Sequence, residues 1–129
     1  MGCCIKPIPL ADLFAALADT TRLRLLNLMA DREVCVCHFV EILGQSQPKI
    51  SRHLAYLRNA GIVAARREGK WMHYSICSAA DTQTTSLLGS VLQSLANNKQ
   101  MCADRTKLDR VCCASQKLVL PTAAPSRTI

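Results

Sequence analysis

The segment "QSQPKISRHLAYLRNAG" constrains the fold of this chain more than any other part of its sequence. It places Ile50, Leu54 and Leu57 at positions i, i+4 and i+7, which lie on one face of an α-helix. Ser46 is a favourable N-cap residue, and Gly61 follows the last turn. The other side of this helix is polar and basic, so the pattern predicts a helix that buries one apolar stripe and exposes the rest.

The neighbouring segments extend this helix into a larger motif. Residues 37–43 ("CHFVEIL") predict a short helix that ends at Gly44, so the two helices form a helix-turn-helix. Residues 62–77 ("IVAARREGKWMHYSIC") predict two strands joined by a turn at Gly69. A β-hairpin directly after a helix-turn-helix is a wing. The predicted fold is therefore mainly α with a β-hairpin (α+β), a winged helix-turn-helix.

Two further regions predict helices outside this motif. Residues 10–18 repeat apolar side chains at the helical period, and Asp19 or Thr20 is a suitable cap for a second helix after them. Residues 80–98 predict a long last helix whose apolar face is larger than a small winged domain needs. We expect the first and last helices to form a homodimer interface, with packing inside one subunit as the alternative.

These patterns divide the chain into three parts. Residues 1–9 form an N-terminal arm, and residues 10–98 form the winged helix-turn-helix and dimerisation domain. Residues 99–129 contain cysteines and prolines without a sustained period, which predicts a mobile C-terminal tail.

The charge of the 129 residues is +7 and is unevenly distributed. Residues 45–78 carry six basic side chains and one acidic, whereas residues 1–44 carry four basic and five acidic. This distribution indicates a polyanion-binding surface in the middle of the chain. The sequence has neither an apolar run of the roughly 20 residues that a membrane span needs nor a signal peptide, so we expect a cytoplasmic protein without a membrane partner.

The predicted second helix of the motif and the hairpin tip supply candidate contacts to double-stranded operator DNA. Lysine and arginine side chains neutralise phosphates, and polar side chains at the start of a recognition helix reach base edges in the major groove. For one candidate, His53, a structural role is an open alternative. The candidates are Ser46, Gln47, Lys49, Ser51, Arg52, His53, Arg58, Arg66, Arg67 and Lys70.

Eight cysteines are many for a chain of this length, and without an export signal we expect reduced thiols. Cys35 and Cys37 stand two residues apart, just before the predicted helix that opens the helix-turn-helix. Residues at i and i+2 point about 200° apart on a helix, so a formed helix would keep the two sulfurs from sharing one ion. On an extended chain they would lie on one face.

Three segments together resemble the ArsR/SmtB family of metal-sensing repressors, and the arsenic-responsive members most of all. They are "LADTTRLRLLNLM", "EVCVCHFVEILGQSQPKISRHLAYLRNAGIV" and "REGKWMHYSI". The resemblance implies a homodimeric winged-helix repressor that leaves its operator when As(III) or Sb(III) binds cysteine thiolates. It implies no enzymatic activity, and C-x-C without a βαβ pattern is unlike a thiol reductase.

The resemblance also implies the ligands. "CVC" is similar to the family motif C-V-C-[DE]-L-C at Cys35 and Cys37, our first choice, while Val40 replaces the third cysteine. Soft ions favour such thiolates. The second choice is Cys102, Cys112 and Cys113, and Cys3 and Cys4 are candidate additional ligands.

Our mechanistic hypothesis is that an ion held by Cys35 and Cys37 distorts the helix start and so moves the recognition helix. We also expect the helix N-terminus to lower the pKa of these thiols. Two alternatives keep the same fold and change the signal: Cd(II) or Pb(II) bound by thiolates, or oxidation of the thiols.

Overall fold

The computed structural model describes residues 8–77 and 82–116, with the side chains of 112–116 left out of the description. The N-terminal seven residues, the segment 78–81 and the residues after 116 lie outside it, and so do Cys3, Cys4 and much of the predicted arm and tail. The described elements are α1 (Leu10–Leu17), α2 (Thr20–Leu28), β1 (Val34–Cys35), α3 (Val36–Leu43), α4 (Gln47–Asn59), β2 (Val63–Glu68), β3 (Trp71–Ile76), α5 (Thr82–Leu95) and α6 (Lys99–Gln116).

Local sequence signals set the ends of the helices that form the motif. The Asp19 carboxylate accepts the Arg22 backbone N–H at 3.1 Å and caps α2. Gly44 adopts φ 70°, a left-handed conformation that glycine reaches at little cost, and ends α3. Pro48 stands in the first turn of α4, where a missing N–H is harmless. The helix-turn-helix predicted from the sequence is confirmed.

The sheet is antiparallel and has the strand order β1-β3-β2. The predicted hairpin is confirmed: β2 pairs with β3 from Val63↔Ile76 to Glu68↔Trp71, and Gly69 at φ 66° makes the turn. The sequence did not predict β1, which adds only Val34 and Cys35 to the free edge of β3. A two-residue strand has too little periodic pattern to be recognised.

The core forms where α1 to α4 meet the base of the wing. Phe39 of α3 is fully buried, together with leucines of α1 and α2 and the whole apolar stripe of α4. Burying each such side chain stabilises the fold by about 1.5–3 kcal/mol. The stripe therefore fixes which side of α4 faces solvent.

The predicted mobile tail is wrong for residues 99–116, which form α6. This helix packs on α2 and α3 and buries Met101, Asp104 and Leu108. Asp104 is fully buried and accepts two hydrogen bonds from Arg24, at 2.8 and 3.0 Å. A carboxylate on the buried face interrupts the apolar period of the helix, and this carboxylate is tolerated because Arg24 and Gln100 donate hydrogen bonds to it.

The predicted long helix over 80–98 is observed as α5, Thr82–Leu95. It buries Thr84 and Leu88, while Leu87, Val91 and Leu92 are partly buried against the core. No helix of the described residues has the length and apolar character needed to cross a membrane.

We expect Asp104→Ala to lower the free energy of unfolding by about 2–3 kcal/mol. Removing one partner of a buried pair leaves the other uncompensated, and Arg24 keeps some contact with water. Asp109→Ala is the matched control. Asp109 is on α6 like Asp104 and pairs with Arg32, but its side chain is 56% exposed. This control substitution should cost less than about 1 kcal/mol. Urea unfolding at fixed protein concentration measures both, and equal losses would contradict this account of how α6 is held.

Candidate nucleic-acid interface and thiol site

The polar side of α4 is exposed along its length. Ser46 stands at its N-cap with φ −65° and ψ 153°, but its side chain makes no capping hydrogen bond. Ser46 is exposed, so its hydroxyl and the helix start are accessible to an anion. Of the predicted contacts on this helix, Ser46, Gln47, Lys49, Arg52 and Arg58 are exposed, and Ser51 and His53 are partly buried.

A network that the sequence did not predict ties α4 to α1 and α2. Arg22 donates to the Ala16 carbonyl at 2.8 Å, and its guanidinium lies 4.1 Å from the centre of the Tyr56 ring. His53 Nδ1 lies 3.5 Å from Arg22 and 3.7 Å from Asp19. These contacts give His53 a structural role, and its contact with DNA stays a prediction. The role of Arg22 could not be predicted from the sequence, in which it is only the third residue after the helix cap Asp19.

The wing carries the remaining basic candidates. Arg67 and Lys70 are exposed at its tip, and Arg67 Nε donates to the Gly69 carbonyl at 3.2 Å. Arg66 is also exposed but is paired: it contacts Glu33 at 2.7 Å and Glu68 at 3.3 Å. The hydrogen bond from Arg66 is the main cause that lowers the pKa of Glu33. This pair was not predicted from the sequence, because its members are 33 residues apart.

The thiol pair lies at the junction between β1 and α3. Cys35 ends β1 in an extended conformation with φ −78° and ψ 145°, and Cys37 belongs to the first turn of α3. The Cys37 thiol donates to Cys35 Sγ at 3.2 Å. Two metal–sulfur bonds of about 2.3 Å can span this separation. The expectation that the helix start must unwind or distort to bring the two sulfurs together is therefore wrong, because the first cysteine is not helical.

The expected lowering of the thiol pKa values is also wrong for Cys37. Cys37 is exposed, but partial loss of hydration at its thiol is the largest cause that raises its pKa, to about 11, followed by the hydrogen bond and charge interaction with Cys35. The N–H groups of Cys37 and His38 at the helix start lower it, but they do not prevail. Cys37 is a neutral thiol at physiological pH, so binding a soft ion must release its proton.

Two histidines lie close to the thiol pair. His73 is the β3 partner of Cys35, and burial lowers the pKa of His38, with a smaller contribution from His73. Among the side chains that the structure describes, no group of three or more His, Cys, Asp or Glu residues is arranged to hold a metal ion. Val40, which replaces the third cysteine of the family motif, packs against the core.

The second cysteine cluster is spread along α6. Cys102 is exposed near the start of the helix, and its thiol donates to the Ala96 carbonyl at 3.1 Å. Cys112 lies ten residues further along the same continuous helix, about 15 Å along its axis. The backbone positions of Cys102 and of the vicinal pair are thus well separated along α6, and this second choice of ligands stays a prediction. Cys77 is buried, and it is disulfide-bonded rather than reduced.

This arrangement defines a winged helix-turn-helix DNA-binding protein: α4 buries its apolar stripe and exposes its polar side, a tight glycine turn precedes it, and a basic wing follows it. Residues 19–65 match the family model "Bacterial regulatory protein, arsR family". The chain is 52% identical to the arsenical resistance operon repressor of Escherichia coli (strain K12) over 66 residues. These matched residues are 50% of this chain and 56% of that protein. The chain is 42% identical to the arsenic resistance transcriptional regulator ArsR1 of Pseudomonas putida, over 74% of this chain and 73% of that protein.

Relatives with other names and solved structures also match. A cadmium resistance regulator, the CadC homolog of Staphylococcus aureus, is 38% identical over 55% of this chain and 60% of that protein. HlyU from Vibrio cholerae shares the fold with a TM-score of 0.59 at 28% identity, over 66% of this chain and 89% of that chain. A homodimeric winged helix-turn-helix domain from Mycobacterium bovis has a TM-score of 0.57 at 33% identity, over 68% of this chain and 78% of that chain.

The chain therefore belongs to the ArsR/SmtB family and is a DNA-binding transcriptional repressor, not an enzyme. The predicted family and the predicted winged helix-turn-helix fold are confirmed.

We expect the alkylation rate of Cys37 by iodoacetamide to rise about tenfold per pH unit until the pH approaches 11, because only the thiolate reacts. Cys35→Ala should speed the reaction at pH 8, since it removes a neighbour that raises the pKa of Cys37. Peptide mass spectrometry separates Cys37 from Cys102, which is also exposed and reports the reagent's activity in the same sample. A Cys37 rate that levels off near neutral pH would contradict the raised pKa.

Proposed function

We propose that this protein is an arsenite- or antimonite-responsive repressor that binds operator DNA as a homodimer in the cytoplasm and leaves it when As(III) or Sb(III) binds Cys35 and Cys37. The observation that carries the proposal is the 3.2 Å separation of the two sulfurs at the start of the helix-turn-helix. Names of relatives that refer to arsenic resistance support it.

The chemistry of the pair suits a soft ion. Thiolates select soft metals and metalloids over hard cations, and two of them leave a position for a third ligand. A solvent oxygen, a small thiol, or Cys3 or Cys4 would complete the set. The Cys37 proton must leave on binding, so the affinity for the ion rises with pH below about 11.

The coupling to DNA follows from where the pair lies. Cys37 is in α3, the first helix of the motif, and α3 packs directly on α4. A bound ion links the end of β1 to the first turn of α3 and so restricts how that helix moves with α4. The ion and the operator then favour different arrangements, and a coupling of about 1–3 kcal/mol corresponds to roughly 5–150-fold weaker DNA binding.

DNA binding in this proposal uses α4 in the major groove and the wing along the backbone. Gln47, Ser51 and Arg52 reach base edges, while the other basic side chains neutralise phosphates. The predicted contacts remain Ser46, Gln47, Lys49, Ser51, Arg52, His53, Arg58, Arg66, Arg67 and Lys70.

The homodimer would use α1 and α5. Leu10 and Phe14 on α1 are 44% and 53% exposed, which is unusual for large apolar side chains on one helix face. The homodimeric domain from Mycobacterium bovis supports this assembly.

A cadmium- or lead-responsive repressor is the second candidate, favoured by the relative named for cadmium resistance. The close thiols favour a third, a repressor that responds to their oxidation.

We expect arsenite to release the reduced protein from its upstream DNA in a fluorescence anisotropy assay, and Cys35→Ser/Cys37→Ser to stay bound. Cys102→Ser is the matched control and should be released like wild type. Release of the double variant would move the sensor to the α6 cysteines. Stronger release by Cd(II), Pb(II) or peroxide than by arsenite would favour the other candidates.

We expect Gln47→Ala to reduce discrimination between operator and altered operator by about 1–3 kcal/mol, because a base contact is lost. Lys49→Ala should instead weaken binding to all sequences alike and reduce the salt slope by about 1. Binding measured on both DNAs at several salt concentrations separates the two effects. Identical behaviour of the two variants would contradict the assigned roles.

A further inference from the structure

Strand pairing forms a row of polar side chains from the thiol pair to the wing. Cys35 is opposite His73, and His73 is opposite Arg66 on the outer strand of the hairpin. Directly paired residues of neighbouring strands lie on the same face of a sheet. The row therefore runs across one face, with the thiol pair at one end and a basic side chain of the wing at the other.

Glu33 connects the two ends of this row. Arg66 Nε donates to Glu33 Oε2 at 2.9 Å, and Arg66 Nη2 donates to Glu33 Oε1 at 2.7 Å. This is the two-pronged arrangement in which a guanidinium and a carboxylate match best. Glu33 directly precedes β1 and is two residues from Cys35, about 7 Å of extended chain.

Arg66 cannot offer the same two donors to Glu33 and to a DNA phosphate. Its side chain is 52% exposed, so a phosphate can reach it. A guanidinium binds a phosphate with the same paired geometry that it uses for a carboxylate. Operator binding through Arg66 therefore competes with the contact to Glu33.

We propose that Glu33 is a positioning residue through which the thiol pair controls the wing: an ion held by Cys35 and Cys37 fixes Glu33 against Arg66 and withdraws that guanidinium from the operator. This inference rests on the function proposed above. The bound ion immobilises the end of β1, so Glu33 loses less freedom when it pairs with Arg66. Because coupling is reciprocal, whatever stabilises this pair weakens DNA binding.

Glu68 provides a matched comparison inside the same wing. It also contacts Arg66, at 3.3 Å, and lies 3.5 Å from His73. Glu68 is part of β2 itself, two residues from Arg66, so its contact cannot report on the position of β1. Glu33→Gln and Glu68→Gln remove the same charge close to the same guanidinium, and only Glu33→Gln cuts the link to the thiol pair.

The experiment measures operator Kd with and without arsenite for the full reduced chain at one salt concentration. We expect both variants to bind operator more tightly than wild type without arsenite, since each removes a negative charge near phosphate. The ratio of interest is the Kd with arsenite divided by the Kd without arsenite. Only Glu33→Gln should lower this ratio, by about fivefold, which is what an exposed ion pair near 1 kcal/mol can contribute. The arsenite stoichiometry without DNA should stay unchanged in both.

Arg66→Lys is the second variant, because an ammonium keeps the charge but loses the paired geometry. We expect it to lower the same ratio. A wild-type ratio in Glu33→Gln, or an equal fall in Glu68→Gln, would overturn the role of Glu33 and leave the proposed repressor intact. A ratio of one in wild type would overturn both.

Discussion

The buried stripe of α4 is the constraint on which the rest of this structure depends. Ile50, Leu54 and Leu57 have no exposed surface, and they join Phe39 and the α2 leucines in one core. Because three side chains at helical spacing fix the rotation of α4 about its axis, they also fix which side chains face outward. Apolar packing therefore decides which polar side chains of α4 are exposed.

The thiol pair shows how a change of backbone conformation creates a site. Two cysteines at i and i+2 diverge on a helix, but here the first ends a strand and the second begins a helix, which brings the sulfurs to 3.2 Å. The same junction is hydrogen-bonded to the wing through β3 and is continuous with the helix-turn-helix. In the proposed function, an ion bound there would act on both elements assigned to DNA contact, on α4 through α3 and on the wing through Glu33.

The C-terminal helix adds a support that is polar rather than apolar. α6 packs on α2 and α3, and its Asp104 is satisfied by Arg24 and by Gln100 at 2.9 Å. A buried carboxylate is tolerated only when it is paired, so this helix is held by specific partners as well as by Met101 and Leu108. α3 is therefore packed against α6 as well as against α4.

The sequence by itself determined the helix-turn-helix, the hairpin and their order, since these depend on local periodicity, on caps such as Asp19 and on glycines that accept positive φ. It also identified the exposed basic residues and the cysteine pair. Only the tertiary structure decided that Cys35 is extended, that Arg66 is paired with Glu33, that Arg22 ties α4 to α1, and that residues 99–116 are a docked helix. Each of these depends on partners distant in sequence or on burial of a charged group, and neither leaves a periodic pattern along the chain.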